Sequence, residues 1–137
     1  MIEPELLLQG YRLGVFPMAM ENGEIEWFSP DPRAIIPLGE FHVPHGLRRA
    51  VNRKTFEIHI NAGFAEVIRL CAKRDDTWIN QEIIQSYTRL HQLVHAHSNE
   101  DWPDGQRAGG LLGGASGRAF FGQSGFPRGS AGAAVAR

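Results

Sequence analysis

The chain has 137 residues, of which 42% are hydrophobic and 21% charged, values typical of globular proteins. Its formal net charge is −1 at pH 7, and no apolar run approaches the roughly 20 residues of a membrane span. These values argue against a disordered chain and against a membrane protein, and the single cysteine, Cys71, rules out an intrachain disulfide.

The two ends of the chain differ in charge and composition. Glu3 and Glu5 lie where a secretory leader would have basic residues, so we expect a cytoplasmic protein. All 15 acidic residues lie at or before Asp104, while residues 105–137 contain four arginines and no acid. Residues 101–137 also contain 10 of the 16 glycines, which predicts a low-complexity tail, either a natural linker or the product of a shifted reading frame.

The first part of the chain predicts two helices and two short strands. Pro4, followed by an acidic residue and a run of leucines, begins a helix that Gly14 ends. Strands are predicted over 24–28 and 34–38, where apolar residues alternate or cluster. Residues 45–54 predict a basic helix.

A second group of elements begins near residue 55, where we expect a domain boundary. Residues 56–60 alternate as in a strand, and Asn61 is predicted to cap the helix that follows. The apolar positions of that helix are Phe64, Val67, Ile68 and Cys71.

Residues 79–97 predict the longest helix of the chain. Its apolar residues recur at helical spacing at Ile83, Ile84, Tyr87, Leu90 and Val94. Strands are predicted over 98–102 and 108–112, joined by a turn at 103–105, and a third strand over 118–122.

Three histidines and a glycine-rich stretch raise the question of metal or nucleotide binding. His91 and His95 are one helical turn apart and His97 follows, but neither a HExxH pattern nor a cysteine partner accompanies them, so hydrogen-bonded histidines are the simpler interpretation. The glycines of residues 109–117 lack the lysine of a phosphate loop and the spacing of a dinucleotide fingerprint. Glycines in strands instead indicate a close backbone approach or a bulge.

A basic cluster and one tryptophan are candidates for contact with nucleic acid. Arg48, Arg49, Arg53 and Lys54 place four cations within seven residues, a pattern that suits backbone phosphates or simply a solvated helix face. Trp78 precedes a predicted helix, where it could stack on a base or pack against the protein.

Six motifs resemble, in order, those of the leucyl/phenylalanyl-tRNA–protein transferases. They are GYRLGVFPMA (10–19), WFSPDPRAIIPL (27–38), TWI (77–79), LHQLVHAHSNEDW (90–102), GGLLGG (109–114) and AFFGQS (119–124). The resemblance runs from about residue 6 to about residue 126.

The resemblance implies an α+β fold and an aminoacyltransferase activity. A small N-terminal α/β domain would span residues 1–55, and residues 56–137 would form the first part of a GNAT-like acyltransferase domain. The family transfers Leu or Phe from Leu-tRNA or Phe-tRNA to proteins that begin with Arg or Lys, which marks them for degradation in bacteria. It needs neither coenzyme A nor a metal, so no cofactor is expected.

The resemblance also assigns roles to individual residues. Phe16, Met18 and Trp78 match positions that bind the terminal adenosine. Leu111, Phe120, Gln123 and Gly125 match positions of the aminoacyl pocket. Arg48, Arg49, Arg53 and Lys54 match a basic cluster that contacts the tRNA acceptor stem.

Several positions depart from the family pattern. Gln123 stands where the family has Glu, and Gly125 stands where a pocket Met is expected. The family's catalytic Asp and Gln correspond to positions beyond Arg137. We therefore expect a truncated chain that is inactive in transfer, with a non-catalytic tRNA-binding module as the alternative.

Overall fold

The chain folds into four helices and six strands within the described residues. The computed structural model describes residues 1–30, 34–37, 39–40, 42–53, 57–73, 77–102, 109–116 and 119–127. In chain order the elements are α1 (Pro4–Arg12), β1 (Phe16–Ala19), β2 (Ile25–Phe28), α2 (His45–Asn52), β3 (Glu57–Ile60), α3 (Phe64–Cys71), α4 (Gln81–Gln92), β4 (Ala96–Trp102), β5 (Gly109–Ser116) and β6 (Ala119–Pro127). The predicted α+β class is confirmed.

The strands form two antiparallel sheets. β1 and β2 pair with each other, and the larger sheet has the order β3-β4-β5-β6. Every neighbouring pair in the larger sheet is antiparallel, so consecutive strands lie side by side. None of the helices in the described ranges is long and apolar enough to cross a membrane.

The two faces of the larger sheet differ in burial. Alternate residues of β4 are fully buried, and helices α1, α3 and α4 pack on their side. The core face, as we name it, comprises Ala96, Ser98, Glu100, Leu112, Gly114 and Phe121. The open face comprises Ile58, Ile60, His97, Asn99, Leu111, Gly113, Ala115, Phe120, Gly122 and Gly125.

Helix α1 joins the core of the larger sheet through Tyr11. The Tyr11 ring stacks on Phe121 with centroids 5.1 Å apart, and its hydroxyl lies 2.5 Å from the Tyr87 hydroxyl of α4. Gly114 makes room for the ring, because a Cβ at that position would lie 2.8 Å from Tyr11 Cε2. Residues on both sides of the predicted boundary at residue 55 therefore share one hydrophobic core.

Most predicted elements are confirmed with altered limits. The helix that begins at Pro4 and the strand over 24–28 occur as α1 and β2, and the basic helix occurs as α2. The strand predicted over 56–60 occurs as β3, and the strands predicted over 98–102, 108–112 and 118–122 occur as the longer β4, β5 and β6. The predicted turn at 103–105 lies outside the described residues.

In the first part of the chain one predicted strand is wrong and one observed strand was missed. No described strand pairs with residues 34–37, so these residues do not form a strand, and Ile35 and Ile36 are 76% and 72% exposed. Strand β1 was not predicted, since its sequence FPMA contains a proline and is only four residues long.

Two predicted helix limits are also wrong. Asn61 does not cap α3, whose N-cap is Gly63; instead Asn61 has a positive φ of 59° beside β4. Helix α4 ends at Gln92 rather than near residue 97, and Val94 is 71% exposed with a φ of 67°. Residues 93–95 form the turn that reverses the chain into β4.

Candidate functional site

The candidate aminoacyl pocket residues Leu111 and Gly125 lie opposite each other on the open face. They are direct partners in the β5-β6 register, and Asn99 of β4 is the partner of Leu111 on its other side. Leu111 is half-buried, and its Cδ1 lies 3.9 Å from the position of a Cβ at Gly122. Glycines at 122 and 125 thus leave space beside the leucine side chain.

Phe120 lies on the same face and covers Gly113. The ring's Cζ is 2.6 Å from where a Gly113 Cβ would stand, and such a Cβ would also overlap the Phe121 carbonyl oxygen. Phe120 remains 45% exposed. Leu111, Phe120 and Gly125 therefore form a shallow apolar surface, next to which Gly113 and Gly122 have no side chain.

Gln123 is the extra residue of a bulge between β5 and β6. Leu112 pairs with Ser124 and Gly113 pairs with Gly122, so Gln123 has no residue opposite it. Its Nε2 is buried without a hydrogen-bond partner among the described residues. The consecutive glycines were the only sequence signal for this irregularity.

The candidate adenosine-binding residues lie on or next to β1, outside the larger sheet. Phe16 and Met18 share the half-buried side of β1, and Phe16 packs against Phe28 with centroids 6.5 Å apart. The Trp78 carbonyl accepts a hydrogen bond of 2.9 Å from the Ala19 N–H, which brings Trp78 next to the end of β1. Trp78 is half-buried and packs against the core.

The basic cluster lies on α2 and its C-terminal end. Arg48, Arg49 and Arg53 are exposed, and the Arg53 N–H donates to the Arg49 carbonyl at 3.0 Å, so these two residues are one turn apart. None of the three takes part in the ion pairs found in the described part of the chain. Lys54 lies outside the described residues.

Two of the three candidate histidines, His91 and His97, make side-chain contacts within the protein, and His95 is exposed. His91 Nδ1 donates to the Ala96 carbonyl at 2.7 Å, and its ring stacks on Phe64 with centroids 4.3 Å apart. His97 Nδ1 lies 3.0 Å from Asn61 Nδ2. No group of three His, Cys, Asp or Glu residues in the described ranges could hold a metal ion.

Two sets of polar contacts that the fold creates were not predicted from the sequence, one around Glu100 and one between Asn61 and His97. Glu100 is fully buried, and its Oε1 accepts hydrogen bonds from the Gly63 N–H at 2.9 Å and the Ser98 hydroxyl at 2.8 Å. The contact between Asn61 and His97 spans 36 positions, so no local pattern could have indicated it.

Two family models match the chain along most of its length. The model described as leucyl/phenylalanyl-tRNA protein transferase matches residues 35–136, and the one described as its N-terminal domain matches residues 1–31. The first match continues through the stretch whose composition predicts a low-complexity tail.

Curated relatives of this chain carry the same family name as the two family models. The leucyl/phenylalanyl-tRNA–protein transferase of Akkermansia muciniphila is 48% identical over 132 residues, covering 93% of this chain and 68% of the relative. Those of Herpetosiphon aurantiacus and Salinibacter ruber are 49% and 48% identical, covering 90% and 93% of this chain. The chain spans 64% and 57% of their respective lengths. This chain belongs to the leucyl/phenylalanyl-tRNA–protein transferase family.

Proposed function

We propose that this chain binds the aminoacylated 3′ end of Leu-tRNA or Phe-tRNA for transfer of the amino acid to a protein that begins with Arg or Lys. The observation that carries the proposal is the apolar surface of Leu111, Phe120 and Gly125 on one face of the sheet. Burial of a Leu or Phe side chain there contributes about 1.5–3 kcal/mol, enough to favour these residues over Ala. Membership of the transferase family supports the same activity.

The antiparallel sheet with helices on one side supports the proposal of a GNAT-like scaffold. Since aminoacyl-tRNA is used in the cytoplasm, the proposed activity belongs there. Its product, a protein that begins with Leu or Phe, would be a signal for degradation.

The proposed reaction is an aminolysis of an already activated ester. The neutral α-amine of the acceptor protein attacks the ester carbonyl carbon and forms the C–N bond. The bond between that carbon and the ribose oxygen breaks, the ribose oxygen keeps the electron pair, and the proton lost by the amine ends on it. Positioning of the ester and stabilisation of the carbonyl oxygen are what a protein can contribute to this reaction.

The pocket is tested by binding of 3′-amide analogues of aminoacyl-adenosine. We expect the phenylalanyl and leucyl analogues to bind about 10-fold more tightly than the alanyl analogue, because the larger side chains bury more apolar surface. Phe120→Ala should remove most of this preference. Ile58→Ala, on the edge strand of the same face, is the matched control and should leave it intact; equal binding of all three analogues by the unaltered chain would contradict the proposal.

A second candidate function is a non-catalytic tRNA-binding module, favoured by the exposed arginines of α2. An assay that supplies Leu-tRNA and a reporter protein beginning with Arg separates the two. Leucine transfer supports the transferase and contradicts the expectation that this chain is inactive in transfer, whereas salt-dependent tRNA binding without transfer supports the module.

A further inference from the structure

The side chain of Asn61 determines how the His97 ring is protonated. Asn61 Oδ1 accepts a hydrogen bond of 3.0 Å from the Ser98 N–H, a group that can only donate. The amide orientation is therefore fixed, and Nδ2, which can only donate, is the atom that faces His97 Nδ1 at 3.0 Å. His97 Nδ1 must accept, so the neutral ring carries its proton on Nε2.

The backbone of Asn61 is adapted to this contact. Its φ of 59° lies in the left-handed region, which Asn tolerates better than most residues. Its N–H also donates to the Ser98 carbonyl at 2.8 Å, so Asn61 contacts Ser98 from both its backbone and its side chain. The orienting amide is thus anchored to β4 at two points.

His97 lies beside the candidate aminoacyl pocket. It belongs to the open face, since its neighbours Ala96 and Ser98 are fully buried on the other side. Its partner in β5 is Gly113, the residue that the Phe120 ring covers. The two ring nitrogens point in different directions, so Nε2 points away from Asn61. His97 and Phe120 therefore lie on the two sides of one glycine.

From this arrangement we infer that His97 Nε2–H donates a hydrogen bond to the carbonyl oxygen of the aminoacyl group bound at Leu111 and Phe120. This inference rests on the proposed function. The apolar side chains of Leu111 and Phe120 fix the amino acid side chain but supply no donor for the carbonyl. His97 would supply one, positioned by Asn61, and would neither gain nor lose a proton in the step.

The test compares the binding of two ligands to the unaltered chain and to two variants of His97. The ligands are the 3′-amide analogue of phenylalanyl-adenosine and its counterpart with CH2 in place of the carbonyl. The side-chain amide of His97→Gln reaches the former Nε2 position with an N–H. The shorter amide of His97→Asn reaches only the former Nδ1 position and leaves no donor at Nε2. We expect His97→Asn to weaken binding of the amide about 3- to 10-fold and to leave binding of the CH2 analogue unchanged. His97→Gln should bind both ligands as the unaltered chain does.

The outcomes separate this inference from the proposed function. If the role of His97 is purely structural, His97→Asn will weaken the binding of both ligands equally. That result, or unchanged binding of both ligands, overturns the inference while the proposed function stands. Failure of the unaltered chain to bind either ligand overturns the proposed function and the inference with it.

Two-bond 1H–15N correlation spectra test the protonation directly, without any ligand. We expect Nε2 to carry the proton in the neutral His97 ring of the unaltered chain. In Asn61→Gly, which accommodates the positive φ but has no side-chain amide, we expect a mixture of the Nδ1–H and Nε2–H tautomers. A proton on Nδ1 in the unaltered chain would overturn the inference.

Discussion

At the scale of single residues, the hydrogen bond between Tyr11 and Tyr87 joins the N-terminal helix to the centre of the molecule. Tyr87 is 1% exposed, and the two hydroxyl oxygens are 2.5 Å apart. Burial raises the pKa of Tyr87 from 10.0 to about 12, and the hydrogen bond with Tyr11 opposes part of that rise. The Tyr87 phenol is therefore harder to ionise in the folded chain than in the unfolded one.

This pKa shift predicts a loss of stability at alkaline pH. The unfolded chain loses the Tyr87 proton near pH 10 while the folded chain keeps it to about pH 12, so the contribution is complete below pH 10 and lost between the two values. It amounts to about 2–3 kcal/mol in the free energy of unfolding. Urea unfolding at a series of pH values from 8 to about 12 measures it.

Tyr87→Phe is the control for that measurement. It should cost about 1 kcal/mol at pH 8, because the hydrogen bond with Tyr11 is removed, and should reduce the decline above pH 10. Parallel pH profiles for the two proteins would show that Tyr87 is not the group responsible.

At the scale of secondary structure elements, the sequence predicted elements better than it predicted their ends. In the sequence, apolar residues continue at helical spacing past Gln92 to Val94. In the structure Val94 has a positive φ, because the chain must turn back there to pair β4 with β5. Asn61 is a good N-cap residue by type, yet its side chain is engaged by Ser98 and His97. Both errors arise from contacts between residues distant in sequence, which local propensity does not contain.

The candidate site shows the same limit. The GGLLGG and AFFGQS motifs predicted neighbouring strands, and the structure places Leu111, Phe120 and Gly125 on one face. The glycines indicated a bulge or a close approach, but the position of the bulge at Gln123 could not be predicted, because a register shift depends on the pairing of two strands rather than on either sequence alone.

The close approach of β5 and β6 at Gly113 predicts a specific cost for a methyl group. In Gly113→Ala the new Cβ would overlap the Phe121 carbonyl and lie 2.6 Å from Phe120 Cζ. Since backbone cannot move as easily as a side chain, we expect the free energy of unfolding to fall by about 1–3 kcal/mol. Urea unfolding provides the measurement.

Gly46→Ala is the matched control. A Cβ at Gly46 would have nothing within 4 Å, and Gly46 lies in α2, where Ala is the better helix former. Its stability should be unchanged or up to about 1 kcal/mol higher. Equal effects of the two substitutions would refute the steric account of Gly113.

The basic face of α2 predicts salt-dependent binding of tRNA. Replacing Arg48, Arg49 and Arg53 together by Ala should weaken binding, because fewer phosphates of the tRNA are then neutralised. The slope of log K against log salt should become shallower by about 0.7–0.9 for each phosphate that the arginines no longer neutralise. A filter-binding titration from low to physiological salt measures both quantities.

Three arginines on other helices serve as the control for α2. Arg12, Arg69 and Arg89 are exposed on α1, α3 and α4, so their joint replacement by Ala removes the same formal charge. Affinity and slope should change less than in the α2 variant. Similar losses in both would mean that net charge, rather than the α2 surface, determines binding.

At the scale of the whole molecule, the shared core predicts that residues on both sides of position 55 unfold together. Leu7 of α1 is fully buried in the same cluster as Tyr87 and Leu112, and the Ile2 N–H donates to Ser86 Oγ of α4 at 2.8 Å. An N-terminal domain that folded independently would have its own core. If the two segments instead share one core, the expected boundary near residue 55 separates segments that depend on each other for stability.

The substitution Leu7→Ala tests this dependence, with Leu6→Ala as its neighbour in the same helix. Leu7 is 0% and Leu6 is 50% exposed, so Leu7→Ala should lower the free energy of unfolding by about 2–5 kcal/mol and Leu6→Ala by much less. Hydrogen exchange reports the effect segment by segment: under shared unfolding, protection should fall in α4 and β5 as far as in α1. Loss of protection confined to α1 and the β1-β2 hairpin would instead show that the N-terminal residues unfold as a separate unit, and Tyr11 would then be a contact between two domains rather than part of one core.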